Sequence, residues 1–141
     1  MINNYISHTI SIGNMAIGTI GFLSLVFQII IACVIFSVWL IRPNWNTAYR
    51  AGNATNIKEE FAVYGLPDWS VYVIGATKIA LAIALVAGYW KSELVAPAAI
   101  SMAILMAGAV ICHLRIKEDS LSRALPAGSM LAMSLFVGLF N

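Results

Sequence analysis

Few residues in this chain have the chemistry to do more than pack, and the most costly of them is Lys78. It lies in Gly75-Ala76-Thr77-Lys78-Ile79-Ala80-Leu81-Ala82-Ile83-Ala84, midway along an otherwise uncharged run from Trp69 to Trp90 that is long enough to cross a bilayer. A lysine at the centre of a span costs roughly 2.5 to 3.5 kcal/mol, so it is expected to be buried against a partner or to face a cavity rather than lipid. Counted from Trp69 at about 1.5 Å per residue, its depth is about 13 Å. Gln28, reckoned back from Ile41, comes to a similar level, as do Ser101 and Ser134. The expectation is a polar layer of Gln28, Lys78, Ser101 and Ser134 that offers the ammonium acceptors. The competing reading is a lysine that snorkels to the interface along its apolar stem.

His113 and Arg115 are the second group. They close the run Ala109-Val110-Ile111-Cys112-His113-Leu114-Arg115, which places His113 at a helix end, about 12 Å in depth from Lys78 and too far for direct pairing. A histidine there is favoured by the helix dipole and can bond the last carbonyls. The functional reading is a lipid-headgroup, quinone or proton site shared by His113, Arg115 and a short helix before Gly65. The spans hold no nucleophile motif, phosphate loop or carboxylate pair, and no second histidine for haem or metal, so no catalytic or metal site is expected. Cys33 and Cys112 lack CxxC or ligand spacing and are expected to pack within apolar runs; His8 is expected to be a wetted surface residue.

These residues must be positioned by membrane helices. Of 141 residues, 61% are hydrophobic and 10% charged, and the mean hydropathy is +0.88, far from the soluble norm of about 25% charged. The net charge of +2 is scattered, with no block that would suit nucleic acid. Residues 1–18 read as an interfacial or loosely ordered lead-in. The first 41 residues carry no Lys or Arg, so a cleavable signal is not expected. Four spans follow, at about 17–41, 69–90, 94–114 and 123–140, in a single all-α membrane domain over 1–141. Small residues repeat every four positions in three of them: Ala76, Ala80, Ala84 and Gly88; Ala99, Ala103 and Ala107; Ala124, Gly128 and Ala132. Such stripes predict a tight four-helix bundle. Pro97 and Pro126 fall in first turns, where a missing N–H is tolerated. Trp39, Trp45, Trp69 and Trp90 mark span ends as an aromatic belt.

Between the first two spans, Asn56 and Glu59 fit a capping box, and Ile57, Phe61 and Tyr64 recur at helical spacing before Gly65 and Pro67. This predicts a short amphipathic helix over about 56–64, lying at the interface or docked on the bundle end. Arg42, Arg50, Lys58, Arg115, Lys117 and Arg123 fall on one side of the bilayer and Lys91 on the other. The positive-inside rule then puts both termini outside and the 42–68 and 115–122 loops in the cytoplasm of a multi-pass protein of the cell inner membrane.

Several spaced runs resemble the DoxX-like family of small four-helix membrane proteins. They are Gly65-Leu66-Pro67-Asp68-Trp69, Gly75-x-x-Lys78-x-x-x-Ala82-x-x-Leu85, Leu105-Met106-x-Gly108-Ala109 with His113-Leu114-Arg115, and Asp119 with Leu125-Pro126-Ala127. The likeness covers roughly residues 60–130, while 1–59 match in pattern only. Near the end of the first span, the family's small-residue and Lys motif is replaced by Phe36-Ser37-x-Trp39-x-Ile41-Arg42. The resemblance implies a four-span bundle that acts as an accessory or structural subunit of a larger membrane complex, in some relatives a quinone-linked oxidoreductase, with quinone or lipid contact and other membrane subunits as partners. The candidate binding residues are then Lys78, Gln28, His113 and Arg115. A second reading is a small four-span enzyme of the MAPEG type acting on lipophilic substrates, loosely echoed by Arg50, Asn53, Asn56 and Glu59, although the spacing differs. No inverted repeat or broken span suggests a transporter.

Overall fold

The computed structural model describes all 141 residues, and they form helices and connections without a strand. Helix α1 runs Ile2–Phe36 and continues through a π-helical turn, Ser37–Ile41; the others are α2 Ile57–Val63, α3 Asp68–Ala87, α4 Val95–Arg115 and α5 Leu125–Phe140, with 3-10 turns at Ser92–Leu94 and Leu121–Ala124 leading into the last two. All except α2 are long and apolar enough to cross a membrane, and the chain is a multi-pass membrane protein.

The lead-in expected over residues 1–18 is helical instead. Its polar side chains do not interrupt the helix because their hydroxyls fold back onto it: Ser7 donates to the Asn4 carbonyl, Thr9 to that of Tyr5 and Thr19 to that of Met15, at 2.9 to 3.1 Å. With its π turn, α1 spans 40 residues, about 60 Å at the usual rise and twice a hydrocarbon core of about 30 Å. Burial begins only at Ser24, so the first half of α1 extends past the other helices.

Helices α1, α3, α4 and α5 pack in a ring in that order, with α4 and α5 in contact over the greatest length. The core joins Ile31, Ala32 and Ile35 of α1 to Ala82 and Leu85 of α3, Ala99, Met102 and Met106 of α4, and Met130 and Val137 of α5. Ala99 and Ala103 are buried as their stripe predicts, and Ala107 is half-buried. The α3 stripe divides: Ala76 and Ala80 are exposed, whereas Ala84 is half-buried against the core and Gly88 is buried. The reason is Lys78: Ala76 and Ala80 are each two residues away, about 200° around the helix, so burying the lysine faces them outward. Cys33 is likewise exposed on the outer surface of α1, not packed.

Helix α2 docks on the bundle end. Ile57 and Phe61 pack on Val71 of α3, with Val38 and Trp39 of the first span alongside. Its N-terminus is capped by Asn56 Oδ1, which accepts from the Glu59 N–H at 2.9 Å. The reciprocal bond goes one residue further out: Glu59 accepts from the Thr55 N–H at 2.7 Å and hydroxyl at 2.8 Å, and the backbone bond, helped by the hydroxyl, holds its carboxyl below the ordinary value. At the other end Gly65 has φ +77, and the Leu66 N–H donates to the Phe61 carbonyl and that of Gly65 to Ala62, both at 3.0 Å. This is a Schellman stop that only a residue comfortable at positive φ completes without strain, and Pro67 bars any continuation.

Candidate functional site: a basic cavity at the loop-bearing end

The two long connections, 42–56 and 116–120, lie at the same end of the bundle, and between them and the helices is a partly open cavity of about 380 Å³. Each element supplies a part of its wall: Ile35, Val38 and Trp39 from the end of the first span, Lys78 from α3, Met106 and His113 from α4, Pro126 and Met130 from α5, and Glu60 and Tyr64 from α2. Of its lining residues only Tyr49 and Pro126 are exposed, so its mouth lies where the 42–56 connection meets the first turn of α5.

Glu60 is the hub of one wall. Its Oε2 accepts from Arg50 Nη1 at 2.7 Å, in a pair whose side chains are 8% and 10% exposed. Its Oε1 accepts from the Tyr64 hydroxyl at 2.9 Å and the Ala51 N–H at 3.3 Å. The Tyr64 oxygen lies 3.1 Å from His113 Nε2, with the two rings edge to face. With its single proton committed to Glu60, the hydroxyl accepts from histidine, which sets an N–H on the facing ring nitrogen. The result is a chain of bonds from His113 through Tyr64 and Glu60 to Arg50. Burial first, and the adjacent Glu60 charge second, push the Tyr64 phenol well above its ordinary range, so it remains a donor.

The loops that roof this wall are tied together. Arg123 Nη1 donates to the carbonyls of Arg50 at 2.6 Å and Gly52 at 2.7 Å, and Asp119 accepts from the Gly52 N–H at 2.9 Å while pairing with Arg123 at 3.0 Å. Arg50 itself donates to the carbonyls of Arg42, Pro43 and Trp45 at 3.1 to 3.3 Å. One guanidinium thus fastens the 42–56 connection to itself and to α2.

Lys78 lines the cavity from α3. It is 8% exposed, and its Nζ forms no hydrogen bond or ion pair within the chain; it lies 5.5 Å from the centre of the Trp39 ring. Trp39 can approach because residue 75 is glycine: a Cβ there would come within 2.5 Å of the indole. The indole is therefore turned inward against Lys78 and Phe61 instead of joining the belt formed by the exposed Trp45, Trp69 and Trp90.

Of the candidate residues, Lys78 and His113 are brought to one cavity. Arg115 is exposed and takes no part in its lining. The expected polar layer does not form. Gln28 donates to Ser24 at 3.3 Å and lines a groove with Leu85, Tyr89 and Trp90 near the far end; Ser101 is exposed; Ser134 is enclosed in the core without a partner. The depth reckoning fails because Ile41 and Trp69, the two residues from which depths are counted, are not level. Trp39 packs at the level of Gly75, and Gln28 lies eleven residues before it, about 16 Å toward the other end.

Glu60, Tyr64, Trp39 and Arg42 were not singled out from sequence as site residues. Glu60 shares the face of Ile57, Phe61 and Tyr64 by helical spacing, and a carboxylate on that face was the available signal. The Arg, Asn, Glu set of the enzyme reading is occupied otherwise: Arg50 holds Glu60, Asn56 and Glu59 cap α2, and Asn53 is exposed. The cavity can hold an acceptor-rich or anionic group between an ammonium and a tyrosine–histidine pair, with apolar side chains beyond.

Among known proteins, the chain is 32% identical over 79 residues to the "Uncharacterized protein YdgD" of Bacillus subtilis (strain 168), which covers 56% of this chain and 69% of that protein. No solved structure matches it. The model of the DoxX-like family matches residues 31–137, which adds the end of the first span and the whole 42–56 connection to the segment whose motifs carry the resemblance. The chain belongs to the DoxX-like family.

Proposed function

We propose that this protein is an accessory subunit of a larger membrane complex, and that its cavity holds the polar head of a lipophilic molecule, such as a quinone, shared with that complex. The observation that carries the reading is Lys78: a nine-tenths buried lysine without a protein acceptor lines the same cavity as the Tyr64–His113 pair. Keeping a charge in an apolar span is costly unless something in the cavity interacts with it. The mouth at Tyr49 and Pro126, beside the first turn of a membrane-spanning helix, suits a molecule that arrives through lipid. Membership of a complex is supported by the outer half of α1, which presents Ile6, Ile10, Met15 and Ile17 beyond the reach of its own bundle. In this reading the protein lies in the cell inner membrane, with the cavity on the cytoplasmic side.

The test is purification from the native membrane at native abundance, followed by identification of co-migrating proteins and of extracted lipophilic molecules. The expected result is a stoichiometric partner and a bound quinone or lipid, the latter lost in Lys78→Met. A protein that migrates alone and carries no molecule dependent on Lys78 would refute the proposal.

A further inference from the structure

We propose that the occupant of the cavity is an anionic amphiphile, with a carboxylate or phosphate head held by Lys78 and Arg42 and a chain leaving between Tyr49 and Pro126. This rests on reading the cavity as a binding site and names the chemistry it selects.

Four basic side chains line the cavity, Arg42, Arg50, Lys78 and Arg123, against one carboxylate, Glu60. Two of the four are neutralised within the chain, Arg50 by Glu60 at 2.7 Å and Arg123 by Asp119 at 3.0 Å. The other two are not. Lys78 has no hydrogen-bond or ion-pair partner in the chain, and its ammonium lies 5.5 Å from the centre of the Trp39 ring. Arg42 uses Nε to donate to Ser37 Oγ at 2.8 Å, and its two terminal nitrogens have no partner in the chain. A neutral acceptor such as a quinone carbonyl offers two unshared cations only partial charge, whereas an anion forms charge-assisted bonds to both.

The rest of the lining describes the remainder of the ligand. Twelve of its twenty residues are hydrophobic, which suits a hydrocarbon chain more than a free inorganic anion. At about 380 Å³ the space is near the lower end for ligand pockets, enough for a head and the first carbons. The remainder must pass through the mouth, which lies at the first turn of α5, one end of a helix able to span the membrane. Trp39, fixed by Gly75, closes the inner wall beside Lys78.

The experiment is equilibrium binding to the full-length protein in phosphatidylcholine nanodiscs. The probes are oleate, dioleoyl phosphatidic acid, oleyl alcohol and decyl-ubiquinone, and the proteins are wild type, Lys78→Met, Lys78→Arg and Arg42→Gln. Melting temperature is read for each, so that a variant that fails to fold is recognised. The expected result is that one or both acids bind at least about tenfold more tightly than the alcohol, that Lys78→Met and Arg42→Gln abolish that preference, and that Lys78→Arg keeps it. Whichever acid binds more tightly names the source, a free fatty acid or a phospholipid. Equal binding of acid and alcohol, or a preference untouched by Lys78→Met in a folded protein, overturns the proposal. Binding of decyl-ubiquinone that depends on Lys78, without binding of the acids, overturns it but leaves the cavity as a binding site. Failure of all four probes to bind folded wild type sinks both readings.

Discussion

Arg50 and Glu60 pair at 2.7 Å across ten residues of chain, and the pair is the joint between the loop that roofs the cavity and the helix that walls it. Neither side chain has water enough to solvate its charge alone, so removing one leaves the other buried and uncompensated. Glu60→Ala is expected to destabilise the protein by about 3 to 5 kcal/mol. Denaturant or thermal unfolding in one detergent measures it. A Glu60→Ala protein as stable as wild type would show that the pair holds nothing together.

Tyr64 donates to Glu60 and accepts from His113, and Phe keeps its ring but loses both bonds. Tyr64→Phe is expected to cost about 1 to 3 kcal/mol, because Glu60 and His113 are left short of a partner. The pH dependence has a definite sign. The folded phenol is raised above its ordinary 10.0, so its contribution is present in full below that value and is lost as pH rises above it, when the unfolded chain alone ionises. Wild type should therefore be more stable than Tyr64→Phe by a constant margin below pH 10, and that margin should shrink on the alkaline side.

Gly75 admits the Trp39 ring, and any Cβ there meets Cε3 and Cζ3 at 2.5 and 2.6 Å. Both atoms belong to a rigid indole, so the ring must move. Gly75→Ala is expected to destabilise by about 1 to 3 kcal/mol and to alter Trp39 fluorescence as the indole leaves Lys78. An unchanged melting temperature together with an unchanged emission spectrum would contradict the packing.

Orientation is the fourth expectation. Six basic residues, Arg42, Arg50, Lys58, Arg115, Lys117 and Arg123, lie at the loop-bearing end, against Lys91 at the other. Both termini are then outside. Reporter fusions after Asn141 should be active only on the outer side, and activity confined to the cytoplasm would reverse the assignment.

Four apolar runs of bilayer length, the Asn56 cap, the Gly65–Pro67 stop and the first-turn prolines were legible in the residues, because each depends on local chemistry: hydropathy, a side-chain acceptor, a positive φ, a missing N–H. The same locality identified Lys78 and His113 as unusual. It could not say what they face. Depth counted along one helix carries no information on how far neighbouring helices slide past each other, and the packing of Trp39 on Gly75 sets that offset, moving Gln28 to the far end and Arg42 into the cavity. Nor could a four-residue repeat on α3 say which face turns inward. Lys78 and the Ala76 and Ala80 part of the stripe cannot both be buried on one helix, and the tertiary structure resolves the conflict toward the lysine, since an ammonium in lipid costs more than exposed alanines do.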